Sequence, residues 1–193
     1  RQALAVLERE GVIIRRQGAG TYVHYISRAQ TRAEHAYEFT DLLRSAGFEP
    51  GIRLDSFTYE PLNEELAALV DVEPESQALV VGKTFLASGQ PAIHCIDRIP
   101  TKWIRSEFDV QELEQPIFDF MRERCNLVTV QNLAEIIPTI ASPEIAAILH
   151  LRPGSPLLCI NEVGYDADGM AIVLHTAFYN DNFVRFSLLR KRI

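Results

Sequence analysis

Apolar residues in the first ten positions fall at Ala3, Leu4 and Leu7, the spacing of one helical face, and Gly11 follows as a stop signal. The period then changes. Val12–Arg16 reads as a strand, Gln17–Gly20 as a glycine-rich turn, and Thr21–Ile26 as a second strand rich in β-branched and aromatic residues. Ser27–Glu34 is polar and without period, so it reads as a linker. Beyond it, Tyr37, Phe39, Leu42 and Leu43 outline an amphipathic helix over Glu34–Ala46, closed by Gly47, and Arg53–Glu60 alternates as a strand.

The rest of the chain contains an internal repeat. Glu65–Ser76 resembles Glu144–Ser155: each is a short apolar helix followed by a proline-containing turn that ends in serine. Each copy leads into an apolar strand, Ala78–Ala87 or Leu157–Asp166. Each strand ends at a tight turn, Ser88-Gly89 or Asp168-Gly169, and a return strand follows, Pro91–Ile99 or Ala171–Tyr179. Between the copies, Glu112–Cys125 reads as a helix and Leu127–Pro138 as a strand. Hairpins alternating with helices predict an α+β domain, an antiparallel sheet with helices on it. Two similar hairpins in one sheet also create a pseudo-symmetric seam, a natural place for a pocket.

Charge separates the two ends of the chain. Four arginines against two glutamates leave residues 1–23 at +2, so the remainder carries −9 of a net charge of −7. A short basic segment on an acidic body suits local contact with nucleic acid and argues against a chain that coats it. The cysteines, Cys95, Cys125 and Cys159, are scattered, odd in number and without a CxxC pair, which predicts reduced thiols and a cytoplasmic protein. No apolar run is long enough to span a bilayer. The chain opens without Met inside a predicted helix, so we expect a fragment with residues missing upstream.

Arg1-Gln-Ala-Leu-Ala-Val-Leu-Glu-Arg-Glu-Gly, followed by Arg15-Arg16-Gln17-Gly18-Ala19-Gly20-Thr21-Tyr22-Val23, resembles the end of the winged helix of the GntR family of transcriptional regulators. The match covers about the last third of that DNA-binding domain. It implies that Arg1 meets the DNA backbone or a base edge. It also implies that Arg15, Arg16, Gln17, Gly18, Gly20 and Thr21 form a wing at the minor groove, where arginines supply charge and glycines allow close approach. A plain hairpin with solvated arginines is the simpler alternative for the wing alone. With only Arg1 and the wing present, this chain by itself is not expected to bind an operator specifically.

From about Glu34 to the end, the chain resembles the UTRA ligand-binding domain of HutC-type GntR regulators. Ala46-Gly47, Ser88-Gly89-Gln90-Pro91, Asp166-Ala-Asp-Gly169 and Tyr179-Asn-Asp-Asn-Phe183 carry the resemblance, although the family's Asp-Arg-Phe has become Asp181-Asn182-Phe183. The resemblance implies a chorismate lyase-like fold, a homodimer, and an effector bound inside each sensing domain. Two arginines that commonly face an anionic effector match Lys83 and Phe85. A common glutamate on the return strand matches Cys95, with His94 beside it. A polar pair and a tyrosine on the last strand match Val173, His175 and Tyr179. One cation thus remains, which disfavours a sugar phosphate and points to a smaller or more apolar ligand with one anionic group at Lys83 and His175.

Each position has a plainer reading. Lys83 could sit on a solvated strand face, and His94 and His175 could be hydrogen-bonded core histidines. Strand alternation cannot turn both His94 and Cys95 inward. A two-residue turn pairs Lys83 with His94 and a three-residue loop pairs it with Cys95; the family match favours Cys95. Glu135 reads as a pocket acid or, preferably, an edge-strand charge. Asp166 and Asp168 are explained by turn chemistry.

These readings predict residues 1–26 as the end of a winged helix-turn-helix, 27–33 as a linker and 34–193 as an effector-binding and dimerisation domain. The expected protein is a ligand-responsive regulator, a repressor by family habit, with operator DNA and a small-molecule effector as partners. No nucleotide loop, GxSxG elbow, HExxH motif or metal-spaced Cys/His cluster occurs, so neither catalysis, cofactor nor metal is expected. A small-acid lyase on the same fold and a ligand-free dimerisation module are the rival readings; a collapsed seam lined only by apolar side chains would favour the second.

Overall fold

The computed structural model describes residues 3–4, 13–16, 20–23 and 38–186. The chain divides into two compact units, Arg1–His35 with Arg185–Ile193, and Ala36–Val184. In the first, β1 (Ile13–Arg16) pairs antiparallel with β2 (Gly20–Val23), with Arg15 opposite Thr21 and Arg16 opposite Gly20. Gly20 has φ +105°, a conformation that L side chains avoid, so glycine suits this point of the hairpin. Gly20 and Thr21 are exposed. Arg1, Gln17, Gly18 and the linker lie outside the described residues.

The second unit is a six-stranded antiparallel sheet with helices on it, in the order β3-β4-β5-β8-β7-β6, which is the predicted α+β class. Helix α1 (Phe39–Ser45) precedes β3 (Pro50–Pro61). Helix α2 (Glu64–Leu69), β4 (Gln77–Ala87) and β5 (Gln90–Pro100) complete the first half. β6 (Gln131–Ile140), α4 (Pro143–Ile148), β7 (Pro156–Tyr165) and β8 (Ala171–Tyr179) repeat that order after an intervening helix, α3 (Ile117–Phe120). The two halves meet where β5 pairs with β8, with Ile96 opposite Thr176.

The sequence repeat is a repeat of hydrogen bonds. Asn63 Oδ1 accepts from Leu66 N as the cap of α2, and Ser142 Oγ accepts from Ile145 N as the cap of α4. Leu62 N donates to Ser76 O and Glu75 N to Leu62 O; Ala141 N donates to Ser155 O and Gly154 N to Ala141 O. Asp71 and His150 both leave their helices at positive φ. These bonds fix each helix across the start of its own hairpin.

The sheet has two covered faces. On one, Leu79, Val81 and Ile99 pack against Leu113, Ile117, Phe120 and Met121 of the segment between the repeats. On the other, α2 packs over Ala78, Val163 and Leu174, and α4 over Leu157 and Phe178. Each fully buried Leu or Phe in these clusters contributes roughly 2 kcal/mol by leaving water. The edge strands β3 and β6 are the exposed ones, and they carry Pro50, Pro61 and Pro138, which withhold a backbone donor from a further strand.

Two predicted elements differ. The helix expected over Glu112–Cys125 is a 3-10 turn, Val110–Glu114, followed by α3 and a π turn, Met121–Cys125. Pro116 lacks an N–H and drives the preceding residue out of the helical region, and Gln115 is extended at φ −98°, ψ 170°. The strand expected from Leu127 begins at Gln131, because Asn126 turns the chain in the left-handed region and Leu127 packs into the core. Replacing Asn63 or Ser142 by alanine should remove one cap each and lower stability in urea unfolding by about 1 kcal/mol. Equal losses are expected from the two variants because the two turns are built alike.

Candidate effector site

Odd-numbered residues of β4, β5 and β8 point to the face covered by the inter-repeat segment. That alternation brings Lys83, Cys95, Asp97 and His175 together. The register decides which residue of β5 joins them. The turn at Ser88-Gly89 is two residues long, yet a bulge between Phe85 and Leu86 shifts the ladder by one, so Lys83 lies opposite Cys95 and Asp97 lies opposite His175.

Asp97 is the hub. Lys83 Nζ lies 3.5 Å from Oδ2, His175 Nδ1 lies 2.7 Å from Oδ1, and the Cys95 thiol donates to Oδ1 at 3.1 Å. Lys83, Cys95 and Asp97 are completely buried. Burial alone would raise the Asp97 carboxyl, but the Lys83 charge and the hydrogen bonds from His175 and Cys95 outweigh it and hold it at about 2. Lys83 Nζ also donates to the Gln115 carbonyl at 2.9 Å, the group that the Pro116 break frees from helical pairing. Because the ionised carboxylate carries no hydrogen, His175 Nδ1 is the donor to it. In the neutral ring Nε2 is then an acceptor, and Nε2 is buried without a partner.

His175 and Asp97 open onto a cavity of about 20 Å³ lined also by Glu38, Phe39, Phe85, Phe118, Asn132 and Glu162. Phe118 stands edge-on to His175 at 5.3 Å, and Phe39 edge-on to Phe85 at 4.7 Å. Asn132 Nδ2 donates to Glu162 Oε2 at 2.8 Å. Glu38, Phe118 and Asn132 also line an outer groove of about 350 Å³ with Arg122, Val128 and Val130. Burial, followed by the neighbouring charges of Asp119 and Asp41, raises the Glu38 carboxyl to about 7.

Of the residues predicted to bind effector, Phe85 and His175 line this cavity. Lys83 and Cys95 stand behind Asp97, and Tyr179 packs edge-on to Phe39 at 6.1 Å, its phenol pushed up by burial. Val173 belongs to the apolar core instead. His94 points to the opposite face, where its Nδ1 lies 3.2 Å from Thr84 Oγ1 and 3.3 Å from Asp55 Oδ2, and burial lowers its pKa. It is the hydrogen-bonded core histidine of the plainer reading. Lys83 is not on a solvated face, and its ammonium is engaged by Asp97 and Gln115, so it is not placed to take an anion. Glu135 is exposed on edge strand β6, and Asp166 accepts turn hydrogen bonds from Asp168 N and Met170 N.

Sequence reasoning missed Asp97, Glu38, Asn132, Glu162 and Phe118. Asp97 was detectable as the residue two beyond Cys95 on the same strand face. Glu162 was detectable through the repeat, because the offset that maps Leu62 onto Ala141 maps Lys83 onto Glu162. Cys95 Sγ, an Asp97 oxygen and a His175 nitrogen lie within 4.8 Å of one another, a spacing a metal could use. The Lys83 ammonium already supplies the positive charge at that point.

The family model of the UTRA domain matches residues 45–185. The HTH-type transcriptional repressor NagR of Bacillus subtilis is 30% identical over 176 residues, covering 89% of this chain and 70% of that protein. The crystal structure of PhnF from Mycobacterium smegmatis superimposes with TM-score 0.74 at 21% identity, over 99% of this chain and 83% of that one. That of a GntR-family regulator from Enterococcus faecalis superimposes with TM-score 0.64 at 18% identity, over 72% of this chain and 99% of that one.

Asp97→Ala should leave the Lys83 ammonium buried without its counter-charge and cost about 3–5 kcal/mol in denaturant unfolding. Glu38 gives the opposite kind of signal. Its folded pKa is raised, so between about 4.5 and about 7 the folded chain holds a proton that the unfolded chain releases. Stability should therefore fall as pH rises through that window, and Glu38→Gln should flatten the decline in a Tm-against-pH series.

Proposed function

The chain belongs to the UTRA-domain family of transcriptional regulators, and from that premise we propose that it is a GntR-type repressor of the HutC branch, a cytoplasmic homodimer whose cavity takes a small-molecule effector that sets its affinity for operator DNA. The observation that carries this is the polar cavity at the seam of the two repeats: a fully buried ion pair behind it, and His175 in its lining with a buried Nε2 that has no partner. Such a cavity disfavours a pure dimerisation module, whose seam would be apolar. The relatives reported above are regulators, which supports a non-catalytic reading over a lyase. Among the described residues no helix is long and apolar enough to cross a membrane.

In this reading residues 1–26 touch DNA, 27–33 link, and 34–193 sense and dimerise. Effector binding favours one arrangement of the sensor, and the linker passes that change to the spacing of two DNA-binding heads. Operator half-sites have fixed spacing, so a changed separation changes affinity. Glu38 and Phe39 lie at the start of α1, a few residues beyond the proposed linker in sequence, and both line the cavity, which supports a lever that begins there.

Native mass spectrometry should find a dimer. In a protein with its complete DNA-binding head, a gel shift on operator DNA should be altered by the effector. Arg15→Ala or Arg16→Ala in that protein should weaken binding to all sequences about equally and reduce the slope of log K against log salt by about 1. A wing making no phosphate contact would leave that slope unchanged.

A further inference from the structure

We propose that the cavity is a receptor for an organic ammonium ion, a protonated primary or secondary amine carried on an aromatic or aliphatic body. The proposal rests on the reading of this cavity as the effector site and names the chemical class of that effector.

Four polar residues line the cavity, Glu38, Asn132, Glu162 and His175, and of these Asn132 Oδ1 and His175 Nε2 are buried without a partner. The carboxyl oxygens and the amide oxygen accept hydrogen bonds, as does His175 Nε2 in the neutral ring. Asn132 Nδ2 gives one N–H to Glu162, and its second N–H remains available. No Lys or Arg lines the cavity among the described residues. The charge of Lys83 is spent on Asp97, and Glu38 and Glu162 have no cationic partner among the described residues. A primary ammonium brings three N–H donors, a secondary one two, and either brings one positive charge to this set, whereas an anion would meet two acids that have no cationic partner among the described residues.

The walls fit the same ligand. Phe39, Phe85 and Phe118 present aromatic surface to the cavity. Ring faces attract cations, and ring surface shelters an apolar body. The inner space of about 20 Å³ suits a single ammonium head, and the outer groove of about 350 Å³ that shares Glu38, Phe118 and Asn132 has the size of a small-ligand site. Arg122, in an exposed ion pair with Asp119, lines that outer groove but not the inner cavity where Glu38 and Glu162 meet.

Isothermal titration of this chain at neutral pH with 2-phenylethylamine, 2-phenylethanol and 3-phenylpropionate separates the possibilities, because the three differ mainly in the charge and donors of the head. The amine is expected to bind at least tenfold more tightly than the alcohol or the acid. Glu162→Gln, which keeps the size of the side chain, and Glu38→Gln should each weaken the amine at least tenfold, with both proteins still folded by circular dichroism. Equal or tighter binding of the acid, lost in Phe118→Ala, would overturn the ammonium assignment and leave the effector-site reading standing. Binding of the amine unchanged in both glutamine variants would likewise overturn it. No binding by any of the three probes would overturn the ammonium assignment, and would extend to the effector-site reading if gel shifts of the complete protein also responded to no small molecule.

Discussion

A lysine ammonium buried beside an aspartate, away from bulk solvent, is the constraint on which this sensor is organised. Lys83 and Asp97 sit on neighbouring strands at the centre of the sheet, and neither could be accommodated there alone. Their pairing requires the bulge after Phe85 to set the register, and the extended Gln115 to lend its carbonyl. The requirement extends outward. Asp97 has acceptor capacity left after Lys83, so it fixes the tautomer of His175 and holds the Cys95 thiol. The histidine, which lines the cavity, is left with its other nitrogen buried and without a partner.

The internal repeat makes the departure from symmetry informative. The helix caps, the turn hydrogen bonds and the left-handed residues recur in both halves, so the halves are equivalent as folding units. The side chains at the seam are not equivalent. Where the first half places Lys83, the second places Glu162. The cation is consumed internally by Asp97, while the acid faces the cavity bonded to an amide. A twofold scaffold thereby becomes a one-sided site with surplus negative charge, and that surplus is the basis for expecting a positively charged ligand.

Most of the fold was legible in the sequence. The repeat, the hairpins and the tight turns follow from apolar period and turn chemistry, which are local. The break at Pro116 is legible too, since a proline cannot continue a helix, although the apolar period runs on across it. The site was less legible. His175 and Phe85, matched to family positions, line the cavity, whereas Lys83, matched in the same way, pairs with Asp97. A strand lysine looks the same in sequence whether it meets a ligand or a buried aspartate. His94 and Cys95 could not be separated, because one residue of register reverses which of them faces inward, and the bulge that decides it leaves no clear local signal.

By itself the sequence determined the class of protein, the order of its elements and the antiparallel hairpins, because those depend on residues close together along the chain. The tertiary structure alone decided the chemistry of the cavity. Glu38, Asp97, Asn132, Glu162 and His175 are far apart in sequence, and they meet only when two halves of one sheet close at β5 and β8. Whether a buried charge is free for a ligand depends on what lies within a few ångströms of it. For Lys83 that answer is Asp97 and the carbonyl of Gln115, and neither could be read from the strand on which the lysine sits.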